Sequence, residues 1–598
     1  MTAIILTALV VIGLVLNGLR LRSRIPSTLP AAAAVSDRDW VVIGSPLDDA
    51  TRAAATSYAQ AEGLTLLDLV PADLPVTPAR DLLRRVDPKT YRKADRLAAG
   101  RSAGAALLVA TPLLDRAGTG LPEETAVEAA RRIRPYADPC GAAIVVAPSL
   151  RAAPADLDQR RALLAANGVI VPIHLLLDAI PYVLTVIALI TGWQWGLAAA
   201  VAYCLQPYLI FAGTSLHPRG LPRAALLRPL YDPYVWVRTA AGRWRSATET
   251  ARDAEIAAAV PYYREALADG TERFLEERRA DCPWCGSAKL SEVVRSRDLV
   301  IGKPGTFTLE RCDGCGHVFQ NPRLRPEGLD FYYRDAYDGL GLAAAETVFV
   351  LAGATYRERA RILTSFAKPK AWLDVGAGHA HFCAVAGEIW PDTVFDGLDQ
   401  GAGIQDAERR GWITTGFRGE FRDLADTLAG RYDVVSMHHY LEHTRDPLTE
   451  LDAAARVLPP GGFLLIELPD PEWPLARLLG QYWIAWFQPQ HQHMMPLRNL
   501  CGALAERGFR PVTIERGPAH QANDFVTAAL LLLSRLAPDR RLPWSVKPPR
   551  RAWHTMVWVA GLPVIAVGLL LDRTLGQAIA RSRDRGDAYR VLSVRESE

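Results

Sequence analysis

The chain has 598 residues, and its composition excludes several classes of protein. Hydrophobic residues make up 49% and charged residues 22%, which excludes a disordered or collagen-like chain. A net charge of +3 without a long basic run excludes a nucleic-acid binder. At this length three or four domains are expected, and a mean hydropathy of +0.04 indicates a mixture of membrane and aqueous parts.

Residues 1–24 predict a membrane anchor. Residues 4–19 are almost entirely aliphatic and carry no charge, and Arg20, Arg22 and Arg24 follow at once. A cleaved signal peptide, which is the alternative, would carry its positive residues before the apolar stretch. The order seen here therefore favours a retained anchor.

Residues 36–165 are predicted to form a small α/β domain, because short β-rich runs alternate with alanine-rich helical stretches. These runs are 40–43, 106–109 and 143–146. The order of anchor, α/β domain and membrane hairpin resembles membrane-bound family-2-type glycosyltransferases. The Asp-x-Asp pair with which such enzymes hold a metal and a nucleotide diphosphate does not appear where it is expected in this domain. Asp48, Asp49 and Asp115 are interpreted as turn and surface residues.

Residues 168–213 predict a transmembrane helical hairpin with its turn at residues 191–196. The turn carries two tryptophans and no charge, whereas six arginines follow the hairpin, so the arginine-rich side is expected to be cytoplasmic. Asp178 and Pro181 interrupt the first limb, and an interfacial or re-entrant helix is the alternative. Residues 215–280 are predicted to be helical and to connect the membrane with the next domain.

Two Cys-x-x-Cys pairs, each followed by glycine, lie within residues 281–340. Two residues between thiolates let both reach one metal, and four thiolates complete a closed tetrahedron, so a zinc ribbon with structural zinc is predicted. A pair of redox motifs and two disulfides are the alternatives. Zinc-bound thiolates imply a reducing compartment, in agreement with a cytoplasmic position. The predicted ligands are Cys282, Cys285, Cys312 and Cys315.

A strand at residues 371–375 is predicted to run into a turn that contains Gly376 and Gly378, with a helix beginning at about His381. Glycine there lets the backbone approach a ligand closely at the carboxyl end of the strand. Asp399 follows the second strand, where a carboxylate accepts hydrogen bonds from ribose hydroxyls. This pattern alone also fits an NAD site.

The continuation of this region, within residues 345–520, resembles the class I S-adenosylmethionine-dependent methyltransferases. The motifs that carry the resemblance are Tyr-Asp-Val-Val-Ser-Met-His-His-Tyr-Leu-Glu-His at 432–443, Leu-Pro-Pro-Gly-Gly-Phe at 458–463 and Ala-Glu-Arg-Gly-Phe at 505–509. The resemblance implies a Rossmann-like domain with a seven-stranded sheet and S-adenosylmethionine as cofactor. It places Asp374, Gly376 and Gly378 at the methionine end of the cofactor, Asp399 at its ribose and Phe421 beside its adenine.

The cysteine pairs upstream extend the resemblance to zinc-ribbon methyltransferases, including the sugar C-methyltransferases of polysaccharide and antibiotic pathways. Those enzymes have a Tyr-x-Glu-His at the active site, which implies that His443 is the base and that Glu442 and Tyr440 orient it or share the proton. His493, which shares the substrate-side loop with His491, is the second candidate. The alternative is that the Glu-His pair caps the following helix.

Residues 523–598 are predicted to be a hydrophobic, membrane-associated region. The apolar stretch 556–571 has positive residues on both sides, so charge bias cannot orient it. It either crosses the membrane or lies in the inner leaflet together with residues 525–536, which are too few to span. The proline-rich stretch 538–549 is interpreted as a linker.

The sequence as a whole predicts an α/β enzyme in the cell membrane, with a cytoplasmic methyltransferase domain, a zinc ribbon, a second N-terminal α/β domain and several membrane helices. A glycan precursor or a lipid-linked molecule is the expected acceptor, because anchoring confines an enzyme to substrates that cannot diffuse in water. No nucleic acid is expected as a partner. A non-catalytic membrane scaffold or cofactor sensor, and a bifunctional fusion with a divergent glycosyltransferase domain, are the alternatives.

Overall fold

The computed structural model divides the chain into two compact units, Met1–Ala251 and Arg252–Glu598. The structure describes residues 2–30, 39–91, 102, 104–118, 126–137, 141–153, 160, 164, 171–241, 247–335, 352–517, 523–539, 541–545, 550–579 and 586–597. Six of the predicted domain boundaries fall outside the described residues. They are 36, 165, 168, 340, 345 and 520.

The first unit combines a small sheet with helices. Its strands are β1 (Trp40–Gly44), β2 (Leu66–Pro71), β3 (Ala106–Ala110) and β4 (Ala142–Ala147). Its helices are α1 (Thr2–Arg22), α2 (Asp49–Ala61), α3 (Val76–Arg85), α4 (Pro88–Tyr91), α5 (Thr111–Ala117), α6 (Ala126–Ile133), α7 (Val171–Thr191), α8 (Trp193–Phe211), α9 (Leu221–Leu226) and α10 (Arg228–Ala241).

The sheet of the first unit has the strand order β1-β3-β2-β4. Strand β3 is antiparallel to both of its neighbours, whereas β2 and β4 are parallel. The sequence analysis missed β2, because Asp68 interrupts its apolar run and Pro71 ends it. Asp48 caps helix α2 by accepting a hydrogen bond from the amide of Thr51 at 2.7 Å, which agrees with its interpretation as a turn residue.

Helices α1, α7 and α8 are apolar and pack on one another. Val10 and Leu14 of α1 are buried in a cluster with Ala199 and Tyr203 of α8. The side-chain amide of Gln206 donates to the carbonyl of Leu14 at 2.9 Å. The turn of the hairpin is shorter than predicted, since α7 ends at Thr191 and α8 begins two residues later.

Two stretches among the described residues are long and apolar enough to cross a membrane, Thr2–Arg22 and Ala552–Ile579. The apolar part of α7, Asp178–Thr191, is shorter. Asp178 itself is buried and forms ion pairs with Arg84 and, at 3.9 Å, with Arg80 of helix α3. The acidic residue that interrupts the predicted span is thus compensated by arginines of the α/β domain, as a buried charge requires.

The second unit carries the glycine-rich turn and the cysteine pairs. Its strands are β5 (Leu290–Ser296), β6 (Phe307–Cys312), β7 (Val318–Gln320), β8 (Ala371–Val375), β9 (Val394–Asp399), β10 (Gly416–Arg418), β11 (Val434–His438), β12 (Phe463–Pro469), β13 (His493–Met494), β14 (Phe509–Gly517) and β15 (Ala588–Arg595). Its helices are α11 (Ala247–Ala266), which begins in the first unit, α12 (Pro326–Tyr333), α13 (Gly353–Arg361), α14 (His381–Ile389), α15 (Gly403–Arg409), α16 (Phe421–Leu428), α17 (Pro447–Val457), α18 (Pro474–Leu479), α19 (Leu497–Ala505), α20 (Asp524–Leu536) and α21 (Arg551–Leu571).

Seven strands form one sheet in the order β10-β9-β8-β11-β12-β15-β14. The first five are parallel, and β15 is antiparallel to both of its neighbours. Strand β15 comes from the stretch that the sequence analysis assigned to the membrane-associated tail. The sheet therefore includes residues 588–595 in addition to strands that lie within the predicted range 345–520. Gly517, at the end of β14, pairs with Ala588, at the start of β15.

The cysteine-bearing region forms a four-stranded sheet with the order β13-β7-β6-β5. Strands β5 and β6 are antiparallel neighbours, and the loop of residues 297–306 joins them. Strand β13 follows β12 in the chain and pairs with β7, so the large domain contributes a strand to the small sheet.

Candidate active site

A cleft of about 1840 Å³ lies in the second unit. The turns that follow β8, β9, β10 and β11 all contribute to its lining. Ligands bind at the carboxyl ends of the strands in open α/β sheets, so the cleft lies where the fold places a ligand. Six of the predicted site residues line it, and they are Asp374, Gly376, Gly378, Asp399, Tyr440 and His443.

The glycine-rich turn has a backbone that other residues rarely adopt. Gly376 has φ +73°, and a Cβ atom there would lie 2.6 Å from Cδ2 of Tyr440. Gly378 has φ +54°, and a Cβ atom there would meet nothing within 4 Å. Gly376 is therefore needed for the contact with Tyr440, whereas Gly378 leaves open space beside the turn.

Asp399 ties the end of β9 to the glycine-rich turn. One of its carboxylate oxygens accepts a hydrogen bond from the amide of Gly378 at 2.8 Å, and the other accepts from the amide of Gly401 at 2.7 Å. A carboxylate oxygen can accept more than one hydrogen bond, so these amides orient Asp399 without using its full accepting capacity.

Asp374 belongs to a buried chain of hydrogen bonds between β8 and β11. Its Oδ1 accepts from the hydroxyl of Ser436 at 2.6 Å, and Nδ1 of His438 lies 3.3 Å from the same oxygen. The indole of Trp372 donates to Ser436 Oγ at 2.8 Å. Burial lowers the pKa of His438, so its ring is neutral at pH 7.

His443 lies at the other end of the cleft. Its Nδ1 is 2.6 Å from the hydroxyl of Tyr333, and its ring meets that of His491 edge to face, with the centroids 4.5 Å apart. Burial lowers the pKa of His443 below its usual value, so the imidazole is neutral at pH 7. The sequence analysis gave Tyr333 no role, although it belongs to a Phe-Tyr-Tyr cluster that could have drawn attention to it.

Glu442 does not line the cleft. It is fully buried, and its Oε1 lies 3.0 Å from Nδ1 of His439, whose Nε2 is 2.9 Å from Oε1 of Glu467. Burial disfavours charge on His439, but the hydrogen bonds to the two carboxylates outweigh it and raise its pKa to about 9. Arg359 and Arg590 also pair with Glu467. Glu442 is thus part of an ionic network whose members His439 and Arg359 line the cleft. His439 lies just beyond β11 with φ +52°, and both His438 and His439 line the cleft although they have different partners.

His493 and Phe421 also lie outside the cleft lining. His493 is buried on β13, where its Nδ1 is 3.0 Å from Nε2 of His317 and its Nε2 is 3.3 Å from the carbonyl of Arg445. These contacts join the small sheet to the large domain. Phe421 is fully buried in the core at the first turn of α16. His491, the neighbour of His493 in the same loop, is the residue that lines the cleft.

The four cysteines of the two pairs come together, with their sulfur atoms within 4.8 Å of one another. The Sγ atoms of Cys282 and Cys315 are 3.7 Å apart, and those of Cys285 and Cys312 are 3.5 Å apart. Zn–S bonds of about 2.3 Å in a tetrahedron give sulfur–sulfur edges of about 3.8 Å, so these donors fit a zinc ion. A second close group of metal-binding residue types stands beside the cleft, and it consists of Glu442, His443 and His491.

Comparison with known proteins decides the class of the large domain. Residues 350–514 match the family model described as "Methyltransferase domain". This match supports a methyltransferase domain within these residues.

This methyltransferase domain has weak similarity to curated enzymes. A "Ubiquinone biosynthesis O-methyltransferase" from Bordetella avium is 25% identical over 150 residues, which are 23% of this chain and 61% of that protein. The enzyme of the same name from Erwinia tasmaniensis is 30% identical over 105 residues, 16% of this chain and 43% of that protein. The match therefore spans less than two thirds of either relative.

A solved structure of a "SAM dependent methyltransferase" from Archaeoglobus fulgidus is 16% identical, and the match covers 44% of this chain and 100% of that one. Its TM-score is 0.28, which is too low to support a conclusion about function.

Proposed function

We propose that the protein is a membrane-anchored methyltransferase that transfers the methyl group of S-adenosylmethionine to a glycan precursor or lipid-linked acceptor. The observation that carries the proposal is the pairing, in one cleft, of the glycine-rich turn with Asp399 at one end and a neutral His443 at the other. S-adenosylmethionine supplies an electrophilic methyl group on a sulfonium. The protein has to hold this donor, position the acceptor and remove the acceptor's proton.

The glycine-rich turn and Asp399 are assigned to the cofactor. Gly376 and Gly378 let the backbone approach the methionine end, Asp374 lies beneath that turn, and Asp399 accepts the hydroxyls of the ribose. Tyr440 packs on Gly376 and donates to Glu450 at 3.0 Å, so it supports the cofactor end of the cleft.

His443 is assigned as the base. The role requires the tautomer in which Nδ1–H donates to the oxygen of Tyr333, so that Nε2 carries the lone pair. The hydroxyl of Tyr333 then donates its own hydrogen bond to the carbonyl of Gln490, which lies 3.2 Å away. In this role Nε2 of His443 would accept the proton of the acceptor, and the bound cofactor would supply the methyl group. An acceptor hydroxyl agrees with the O-methyl transfer named for the two curated relatives.

The four cysteines are assigned to structural zinc, because four thiolates leave no open position for chemistry. The role of this zinc is to shape the small sheet. That sheet carries His317, which contacts His493, and precedes helix α12, which supplies Tyr333.

The membrane location is supported by α1, which is long and apolar enough to cross, carries Arg20 and Arg22 in its last turn and is followed by Arg24. Its packing against α8 favours a retained anchor over a cleaved signal peptide, because cleavage would expose the buried residues Ala199 and Tyr203.

Calorimetric titration of the purified full chain with S-adenosylmethionine tests the cofactor site first. Membrane lipids and glycans from cells with and without the protein are then compared by mass spectrometry. The proposal expects micromolar-range binding and an acceptor that gains the mass of one methylene only when His443 is intact. Binding without any methylated product would favour the scaffold, and no binding at all would refute the cofactor assignment.

A further inference from the structure

We propose that helices α20 and α21 form a hairpin that enters one leaflet of a lipid bilayer without crossing it, and that the hairpin holds the mouth of the cleft at the lipid surface. This inference rests on the proposed membrane location and identifies the side from which the acceptor arrives. It is independent of which acceptor atom is methylated.

Strands β14 and β15 hold the two ends of the segment that contains α20 and α21. Gly517 and Ala588 are paired neighbours in β14 and β15, and β15 also pairs along its length with β12. Both ends of the segment between them therefore lie on the same side of any membrane. A segment whose two ends lie on one side must cross an even number of times or not at all.

The lengths of the helices exclude an even number of crossings. Helix α21 has 21 residues and α20 has 13, so at about 1.5 Å per residue they are about 32 Å and about 20 Å long. The hydrocarbon core of a bilayer is about 30 Å thick, so α20 is too short to be the return span. The remaining stretches between Gly517 and Ala588, residues 518–523, 537–550 and 572–587, contain no second apolar run of spanning length in the sequence. A shallow hairpin is the arrangement that satisfies both constraints.

The two helices are firmly joined to each other. Gly561 and Gly568 face α20 so closely that a Cβ atom at either would lie 2.5 Å from Leu533 or 3.0 Å from Val526. At the start of α20, the carboxylate of Asp572 accepts hydrogen bonds from the amides of Phe525 and Val526 at 2.8 and 2.9 Å. A carboxylate is favourable at a helix N-terminus because it meets unpaired amides there.

The hairpin is also joined to the methyltransferase domain. The indoles of Trp473 and Trp483 donate to the two oxygens of Asp524 at 2.9 and 3.0 Å. Both tryptophans are buried. The domain and the hairpin therefore share one orientation relative to the membrane surface.

Helix α21 presents a continuous apolar face that nothing in the described chain covers. Exposed residues on that face recur at helical spacing, and they are Trp553, Met556, Val559, Val567 and Leu570. Arg550 lies at one end of the helix and Arg573 just beyond the other. An apolar face bounded by arginines fits a leaflet whose headgroups carry phosphate, with the cations at headgroup level.

The connection between the two helices forms part of the cleft wall. Trp544 packs against Tyr263 with ring centroids 5.0 Å apart, and Nζ of the buried Lys303 lies 5.1 Å from the centre of the Trp544 ring. Arg535 in the last turn of α20 lines the cleft, together with these residues of the connection: Pro538, Asp539, Arg541, Leu542, Pro543 and Trp544. A headgroup can therefore enter the cleft beside the hairpin while its hydrocarbon chain stays in the leaflet.

Sidedness is tested with the full chain reconstituted in vesicles of phosphatidylcholine and phosphatidylglycerol. Ser545→Cys and Gln577→Cys place a thiol before and after α21, and Glu596→Cys marks the side of the methyltransferase sheet. A membrane-impermeant maleimide should label all three from the same side, after subtraction of the labelling of the unsubstituted chain. Labelling of Ser545→Cys and Gln577→Cys from opposite sides would overturn the proposal.

Depth is tested with a nitroxide on Val567→Cys, with Ile12→Cys in α1 as the reference. The proposal expects the Val567 label at roughly 5–10 Å below the headgroups. A label exposed to water, or one immobilised against a second copy of the chain, would overturn it. Neither measurement needs cofactor or turnover, so the proposal and the methyltransferase assignment fail independently.

Discussion

The two ends of the cleft are built in different ways. The cofactor end consists of short, consecutive stretches at the ends of neighbouring parallel strands, and backbone amides fix Asp399. The acceptor end brings together His443, His491 and Tyr333, which come from three separate parts of the chain. The first end can therefore form from the sheet alone, whereas the second requires the cysteine-bearing sheet and helix α12 to be in place. Substitutions at one end of the cleft should therefore leave the other end intact.

Replacing His443 with alanine should produce the largest effect. Positioned general bases contribute about 10²- to 10⁴-fold, so kcat should fall by about that factor. The affinity for S-adenosylmethionine should stay within about twofold, because His443 has no contact with the glycine-rich turn. Single-turnover kinetics and calorimetry measure the two quantities. An equal loss of cofactor affinity would show that the ends of the cleft are not independent.

Replacing Gly376 with alanine should damage the opposite end. The new Cβ atom would lie 2.6 Å from the ring of Tyr440, so Tyr440 and the turn have to move. We expect roughly 100-fold weaker binding of S-adenosylmethionine, equivalent to about 2.7 kcal/mol. Gly430→Ala is the matched control, because Gly430 has a similar φ of +70° and open space around it. Equal effects of the two substitutions would attribute the loss to backbone strain alone.

Replacing Cys312 with serine should affect the acceptor end more than the cofactor end. The variant should lose zinc, measured by mass spectrometry of the metal content, and its Tm should fall by roughly 10 °C. At a temperature where it remains folded, kcat should fall about tenfold, because Tyr333 loses its fixed position, while the cofactor affinity changes little. Cys501→Ser, at a cysteine outside the quartet, is the control. A variant that keeps its zinc would contradict the four-thiolate site.

The pH dependence of turnover should reveal His443. The base is active when neutral, and burial lowers its pKa below about 6.5, so kcat/KM should fall only as the pH drops below that value. Tyr333→Phe should shift the pH at which kcat/KM falls and should leave the affinity for S-adenosylmethionine unchanged. A fall in kcat/KM that begins well above pH 7 as the pH is lowered would indicate another base.

The ionic network of His439, Glu442 and Glu467 should give the smallest effect, and this effect should appear in the free energy of unfolding. The pKa of His439 rises from about 6.5 in the unfolded chain to about 9 in the folded one. Its ion pairs with Glu442 and Glu467 therefore stabilise the fold fully below pH 6.5, and this contribution is lost as the pH rises through 9. Urea unfolding at pH 6 and pH 9.5 should show that the difference between the parent and His439→Gln shrinks at the higher pH. If the difference in unfolding free energy between the parent and His439→Gln is the same at both pH values, the ring of His439 is not charged.

The sequence predicts much more of the cofactor end than of the acceptor end. The strand, the glycine-rich turn and Asp399 lie within 30 residues of one another, and their spacing is set by one βαβ unit, so local patterns are enough. Tyr333 reaches His443 across 110 residues, and that contact depends on how the chain after β12 adds β13 to the small sheet. No local pattern encodes such a contact.

The predicted residue His493 was misplaced for a related reason. Regular alternation would point His491 and His493 to the same side, but β13 begins only at His493, so His491 lines the cleft while His493 joins the small sheet. Strand β15 was missed because the apolar residues before it dominated the reading of the C-terminal region. Its own alternation of Tyr589, Val591 and buried neighbours is a strand signal that is visible in hindsight.

The position of β15 also orders events during synthesis. The gap between β12 and β14 cannot be filled until residues 588–595 leave the ribosome, whereas the apolar residues of α20 and α21 emerge earlier. In the proposed membrane arrangement, the nascent chain meets the lipid before its largest sheet can close. A chain that lacks β15 is left with two unpaired strand edges open to aggregation.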